Sequence, residues 1–329
     1  MNIAIVGPGA IGTLVAHFLL KTEKDVVLID KTAERADSLQ KAGITVTTLE
    51  NKKIHVTPQV CTFETARARH YDLVIIAVKS YDTHHVAKKL KSLAGEETYV
   101  LTLQNGIGNF EILEEYIDAE RLIGGVTQQA AFAVGPGEIR HAGTGDTILG
   151  FFKNKKAPQD LARRKFLSGV ARLFNNSGMT TKSTDDMKAA LWSKFIVNIG
   201  INALSAVTRL KNGELLRHEW TRKIMHDAVM EAAKVAKRRK ITLSYSDPLK
   251  KVEAVARDTH ENISSMLQDV LRRKTTEVDY INGALVAEAE SYGIAAPTNT
   301  MLTNIIKAIE ASYQARVDAF PPQEGARAR

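Results

Sequence analysis

Lys194, Asn198 and Asn202 are the residues of this chain whose types and spacing most readily do chemistry. They stand four apart in WSKFIVNIGIN (192–202), so each step turns about 40° around a helix and all three share one face. The rest of that segment is strongly apolar. An otherwise buried helix must satisfy such a stripe, because unpaired amides and charges are costly away from water. A structural hydrogen-bond network would do so, and so would a row of donors facing a polar substrate. In the second case, a lysine whose pKa is lowered by burial can polarise a carbonyl and deliver a proton as hydride arrives. Thr276-Glu277-Val278-Asp279 fits the [ST]-x-x-[DE] capping pattern and predicts a helix from there to Tyr292. An acid in that first turn is favoured by the helix dipole alone, or Glu277 holds the lysine or a substrate hydroxyl. Ser265 stands at another predicted helix start, as a helix-start residue or a carboxylate-binding hydroxyl.

These groups need a partner to reduce anything, and the N-terminus supplies a candidate. Asn2 to Val6 read as a buried strand, Gly7-Pro8-Gly9-Ala10-Ile11-Gly12 follows at once, and an apolar-periodic helix runs through Leu14, Val15, Phe18 and Leu19. Strand, GxGxxG turn and helix in that order form a dinucleotide-binding fingerprint. Gly7 permits the tight turn, Gly9 leaves room for a pyrophosphate, and Gly12 lets helix and strand pack closely, with the phosphates at the helix N-terminus. Val26 to Asp30 is the second strand. Asp30 suits the ribose 2′-hydroxyl of NAD, whereas Lys31 and Arg35 suit the 2′-phosphate of NADP, so these residues leave both cofactors open. Leu73 to Val78 is a fully apolar strand ending at Lys79, and Tyr99 to Leu103 ends at Gln104-Asn105-Gly106. Ligands bind beyond the carboxyl ends of such strands, which sets Lys79 near the cofactor or leaves it a solvated loop lysine, and Asn105-Gly106 reads as a ligand loop or a plain type I′ or II turn.

The remaining elements fill in around this frame. Ile44 to Thr48 and Ile54 to Thr57 predict a β-hairpin, and Leu122 to about Phe151 predicts antiparallel strands extending the sheet, with His141 a strand residue rather than a catalytic acid or base, since nothing nearby would orient an imidazole. From Asp186 onward the pattern is helical, which puts a doubly wound, mostly parallel Rossmann domain at 1–184 and an all-α domain at 185–319. The tail 320–329 reads as disordered. Of 329 residues one is a cysteine, Cys61, which excludes internal disulfides and a cysteine-based zinc site; no metal is expected. No apolar run approaches the roughly 18 residues of a membrane helix, and a strand starting at Asn2 leaves no room for a signal peptide, so a cytoplasmic protein is expected. The net charge of +8 suits an anionic cofactor and an acidic substrate. The basic run Lys234 to Lys240 closes an amphipathic helix, where cations favour the dipole, and brings no aromatic stacking set for nucleic acid.

Taken together, GPGAIG at 7–12, AVKSYDT at 77–83, LQNGIGN at 103–109, WSKFIVNIGINALSAVT at 192–208 and SSMLQDVLRRKTTEVDYINGALVAEAESYGIAAPTN at 264–299 resemble the ketopantoate reductase family. The resemblance covers essentially the whole chain. It implies NADPH-dependent reduction of ketopantoate to D-pantoate, a step toward pantothenate and coenzyme A. By motif it implies Lys194 as general acid with Glu277 its partner, and Asn198 and Asn202 on substrate oxygens. It further implies Ser265 on the carboxylate, and Asn105 and Lys79 at the nicotinamide and substrate side of the first domain. Alternatives are a paralogue acting on another 2-oxo acid, and a regulatory protein that binds NADP without catalysis. A homodimer through the helical half stays open.

Overall fold

The computed structural model describes residues 1–23, 25–153 and 160–315. Its N-terminal half is built on an eight-stranded sheet. From edge to edge the strands are Thr181–Ser183, Thr147–Phe151, Leu122–Thr127, Tyr99–Thr102, Leu73–Ile76, Ile3–Val6, Val26–Asp30 and Gln59–Thr62. All neighbours are parallel except Thr147–Phe151, which runs antiparallel to Leu122–Thr127 with Thr147 opposite Thr127. Every residue of IAIV, LVII and YVLT is buried, as continuous apolar strands covered on both faces must be. Ala10–Leu19 and Leu161–Ser177 cover one face; Thr83–Leu90 and Asn109–Glu114 cover the other.

The strands between 122 and 151 do not all extend this sheet. Leu122–Thr127 pairs directly with Thr147–Phe151, and the excursion between them leaves the sheet. Ala130–Gly135 and Glu138–Gly143 instead join the hairpin Ile44–Thr47/Lys53–Val56 in a separate four-stranded sheet. The hairpin has an apolar side, Ile44 and Val46, and Ile139 closes over it in the same core. Gly137 makes the seam possible. At φ +69° its Cβ would stand 2.9 Å from the Gly43 carbonyl, while its own carbonyl accepts the Thr45 N–H. This second sheet packs on Ala10–Leu19, leaving every residue from Gly12 to Leu19 buried.

The C-terminal half is helical. Asp186 caps Met187–Thr208 by accepting the Ala189 N–H, and Glu219–Arg238, Pro248–Asp258, Ser265–Leu271, Asn282–Ser291 and Pro297–Ala311 surround it. Gly200 permits a close crossing, since a Cβ there would meet Val252 Cγ1 at 2.7 Å and Val229 Cγ2 at 2.8 Å. Met187–Thr208 is long and apolar enough to cross a membrane by length and composition, with 72% of its most apolar window buried inside the fold. The helix expected over 276–292 is broken. Thr276 Oγ1 accepts the Val278 N–H, a short 3₁₀ turn spans Val278–Tyr280, and Asn282–Ser291 starts afresh beyond Ile281. Glu277 is therefore not in the first turn of an α-helix. The tail 320–329 lies outside the described residues.

His17, in the helix clamped between the sheets, is 4% exposed and its Nδ1 has no hydrogen-bond partner. Burial, with smaller contributions from Lys21 and His141, lowers its pKa from 6.5 to about 4. Between those values the unfolded chain binds a proton that the folded one refuses, so this contribution to stability is complete above pH 6.5 and lost as pH falls to about 4. The urea midpoint should decline over that window, and His17→Leu should flatten the decline. An unchanged slope in the variant would assign the acid sensitivity elsewhere.

Candidate active site

The glycine turn has the shape a dinucleotide needs. Gly7 sits at φ +97°, where a Cβ would lie 2.9 Å from the Val78 nitrogen; one on Gly12 would lie 2.1 Å from the Gly7 carbonyl. Gly9 differs, because a Cβ there would meet nothing within 4 Å. It faces open space at the start of Ala10–Leu19, and no side chain caps that helix end. The first N–H groups, at Ala10 and Ile11, are thus available to an anion together with the positive end of the helix dipole. Pro8 offers its carbonyl to Arg35 Nη2 at 3.0 Å. Arg35 Nε also lies 3.2 Å from Asp30 Oδ2, while Asp30 Oδ1 accepts the Thr32 N–H at 3.1 Å. Both oxygens of the buried Asp30 carboxylate are therefore occupied. Lys31 beside it is exposed. A dinucleotide fits these residues: a phosphate cradle at Gly9, and two cations around a neutralised acid at the end of the second strand.

The second half of the site spans the two domains. Lys194 Nζ donates to Asn105 Oδ1 at 2.8 Å, joining the long helix to the loop after Tyr99–Thr102. Burial pushes the Lys194 pKa from 10.5 down to about 8, with the charge of Glu277 pulling it part of the way back. Glu277 is 4% exposed and held by the other domain: its Oε1 accepts the Ser80 N–H at 3.0 Å and lies 3.0 Å from Ser80 Oγ. Its Oε2 lies 3.5 Å from Lys79 Nζ, which makes a 2.6 Å ion pair with Asp269. Burial alone would lower the Lys79 pKa, but Glu277 and Asp269 together outweigh it and hold the ammonium above the ordinary lysine value. Lys79 therefore stays charged while Lys194 can give up its proton near neutral pH.

The Asn105 backbone is fixed as firmly. Its carbonyl lies 2.7 Å from Ser80 Oγ and accepts Asn109 Nδ2 at 2.9 Å. Gly106, at φ +81°, lies flat against the Tyr280 backbone, where a Cβ would be 2.3 Å from the Tyr280 carbonyl. That carbonyl accepts the Ile107 N–H. Asn198 and Asn202 continue the Lys194 face, and neither side chain has an intramolecular hydrogen bond among the described residues. Ser264, rather than Ser265, caps Ser265–Leu271: its Oγ accepts the Leu267 N–H and meets Ser205 Oγ at 2.6 Å, one turn beyond Asn202. The Ser265 hydroxyl has no hydrogen bond among the described residues. His141 lies away from this cluster, in its strand, with Nε2 2.9 Å from Gln129 Oε1.

The structure thus gathers Lys194, Asn105, Glu277 and Lys79 into one network, and Asn198, Asn202 and Ser265 present free polar groups along the same helical face and its neighbour. Sequence reading passed over Ser80 and Asp269. Ser80 lay in plain view beside Lys79. Asp269 stands four residues after Ser265, one helical turn along, but only the fold shows that Lys79 reaches it.

The sequence matches the family models described as ketopantoate reductase PanE/ApbA over residues 3–154 and its C-terminal counterpart over residues 186–310. It is 34% identical over 310 residues to the 2-dehydropantoate 2-reductase of Pyrococcus horikoshii, covering 94% of this chain and 98% of that one. Its likeness to the enzyme of the same name from Halobacterium salinarum is 33% over 307 residues, covering 93% and 98%. Among solved structures, the PanE/ApbA family ketopantoate reductase of Ralstonia eutropha JMP134 superposes with a TM-score of 0.84 at 29% identity, covering 95% of this chain and all of that one. A D-mandelate dehydrogenase with NADH and anilino(oxo)acetate superposes with a TM-score of 0.86 at 28% identity, covering 96% and 100%. The chain is a nicotinamide-dependent oxidoreductase and belongs to the ketopantoate reductase family.

Proposed function

We propose that this chain is a cytoplasmic 2-dehydropantoate 2-reductase, reducing the C2 carbonyl of ketopantoate with NADPH to give D-pantoate. Residues 1–184 hold the dinucleotide, and residues 185–319 present the polar stripe to the substrate. The observation that carries the reading is Lys194: a half-buried ammonium with its pKa near 8, aimed by Asn105 and sharing a helical face with two asparagines whose side chains have no hydrogen bond among the described residues. The bound nicotinamide supplies the hydride. Lys194 Nζ protonates the alkoxide oxygen developing at C2, and its partial desolvation makes that transfer easier than from an ordinary lysine. Glu277, held still by Ser80, keeps enough negative charge nearby for Lys194 to be protonated at neutral pH. Asn198 and Asn202 bind substrate oxygens and Ser265 binds the carboxylate, which orients the carbonyl for one-sided attack.

The first test is reduced-cofactor oxidation by the purified protein, with NADPH and NADH each offered ketopantoate. Turnover favouring NADPH is expected, because Asp30 is already neutralised by Arg35 and Lys31 adds a second cation. A D-mandelate dehydrogenase superposing this well supports a second reading, reduction of a different 2-oxo acid with NADH. Faster turnover of an aryl 2-oxo acid with NADH would favour it.

Three outcomes follow from the geometry. Lys194→Ala should lower kcat by about 10²–10⁴-fold, the usual range for a positioned proton donor, with circular dichroism unchanged. In the reductive direction kcat/KM should fall as pH rises through about 8, where Lys194 loses its proton; a flat profile to pH 10 would remove Lys194 from the proton-transfer step. Arg35→Ala should raise the KM for NADPH about 10–100-fold, the scale of a lost charge-assisted contact, and leave the KM for NADH nearly unchanged.

A further inference from the structure

A cavity of about 460 Å³ lies between the domains, next to the catalytic loop but apart from Lys194, Asn198 and Asn202. It is bounded by the loop from Gly106 to Asn109, by Phe110 and Phe152, by the start of the long helix, and by Ala284 and Ala287 of Asn282–Ser291. At about 100° per residue, Met187, Leu191, Lys194 and Asn198 fall within about 60° of one another on the helix. One helical face therefore serves two spaces. Its first turns line the cavity and its later turns form the catalytic stripe, with the Lys194–Asn105 hydrogen bond standing between them.

The walls indicate what would enter. Phe110 and Phe152 have ring centroids 4.0 Å apart, and Trp192 closes the end beneath Arg239. The polar groups deep in the wall are already satisfied: Gln104 bonds Thr83 and the Val78 carbonyl, and Asn109 bonds Thr83 and the Asn105 carbonyl. Lys188 and Glu111, of opposite charge, are exposed at the rim. Arg239 is paired with Glu288 at 2.6 Å, and Lys153 is paired with Glu114. The interior of such a space offers apolar contact and ring stacking, the charges left unpaired among the described residues being one of each sign at its exposed rim, and its volume is that of a small-molecule site.

We propose that this cavity is a second ligand site, taking an uncharged aromatic molecule, and that its occupancy is felt at Lys194 through the shared helix and the Asn105 loop. The coupling has a physical route: Asn105 and Ile107 are two residues apart, one on the ammonium and the other on the cavity wall, in a loop fastened to the Tyr280 backbone. A molecule pressing on Ile107 displaces the group that aims Lys194. The coupling rests on the proposed role of Lys194, whereas binding can be read without any turnover.

The protein has two tryptophans, and Trp220 is 71% exposed. In a Trp220→Phe background, Trp192 reports on the cavity alone. Titration with N-phenyl-1-naphthylamine, an uncharged aromatic fluorophore, should quench Trp192 saturably. Ala284→Phe should weaken that binding at least tenfold by filling the space, and Ala287→Phe, at an exposed rim position, should do so if the first variant folds poorly. Saturating probe should change kcat/KM for ketopantoate severalfold while quenching persists in Lys194→Ala. Unsaturable quenching, binding indifferent to both variants, or displacement by ketopantoate would overturn the site. Saturable binding with unchanged kcat/KM would overturn the coupling.

Discussion

The structure around the cleft turns on one buried carboxylate. Glu277 belongs to the helical half, yet its hydrogen bonds come from Ser80 and its nearest ammonium, Lys79, from the α/β half. A charge taken out of water needs donors and counter-charge, and one left without them would cost several kcal/mol. Here both come from across the domain boundary. The two halves are thereby held in the arrangement that also brings Asn105 to Lys194, so stabilising the carboxylate and aiming the lysine are one event. The same charge explains why two half-buried lysines differ: Lys79 touches carboxylates and is held charged, while Lys194 feels Glu277 only through space and is lowered.

Much of this was legible in the chain because it obeys short-range rules. The glycine turn was readable since each glycine answers a local steric demand, and the Lys194 stripe was readable since helical periodicity alone puts its members on one face. The errors arose where distant segments decide. The capping pattern at Thr276 is locally sound, but Glu277 is drawn to Ser80, nearly two hundred residues earlier in the chain, and the backbone turns as a 3₁₀ segment to deliver it. The stretch from Ala130 to Gly143 is as rich in glycine and β-forming residues as the main-sheet strands that flank it. What removes it from that sheet is a hairpin near residue 50 whose apolar side needs cover, and no local pattern announces that need. Ser265 was correctly placed at a helix start, but choosing between it and Ser264 as the cap required the position of Ser205.

The second sheet has a consequence for the other end of the cleft. Ala10–Leu19 is enclosed by β-structure on both sides, so the helix whose N-terminus faces open space at Gly9 has almost no freedom to rock or fray. Its N–H groups are aimed before anything arrives. The ordering entropy of binding then falls mainly on the incoming molecule and little on the protein. An appendage that touches neither Lys194 nor Asn105 serves in this way as a stiffener, converting a short, ten-residue helix into a fixed electrostatic mount.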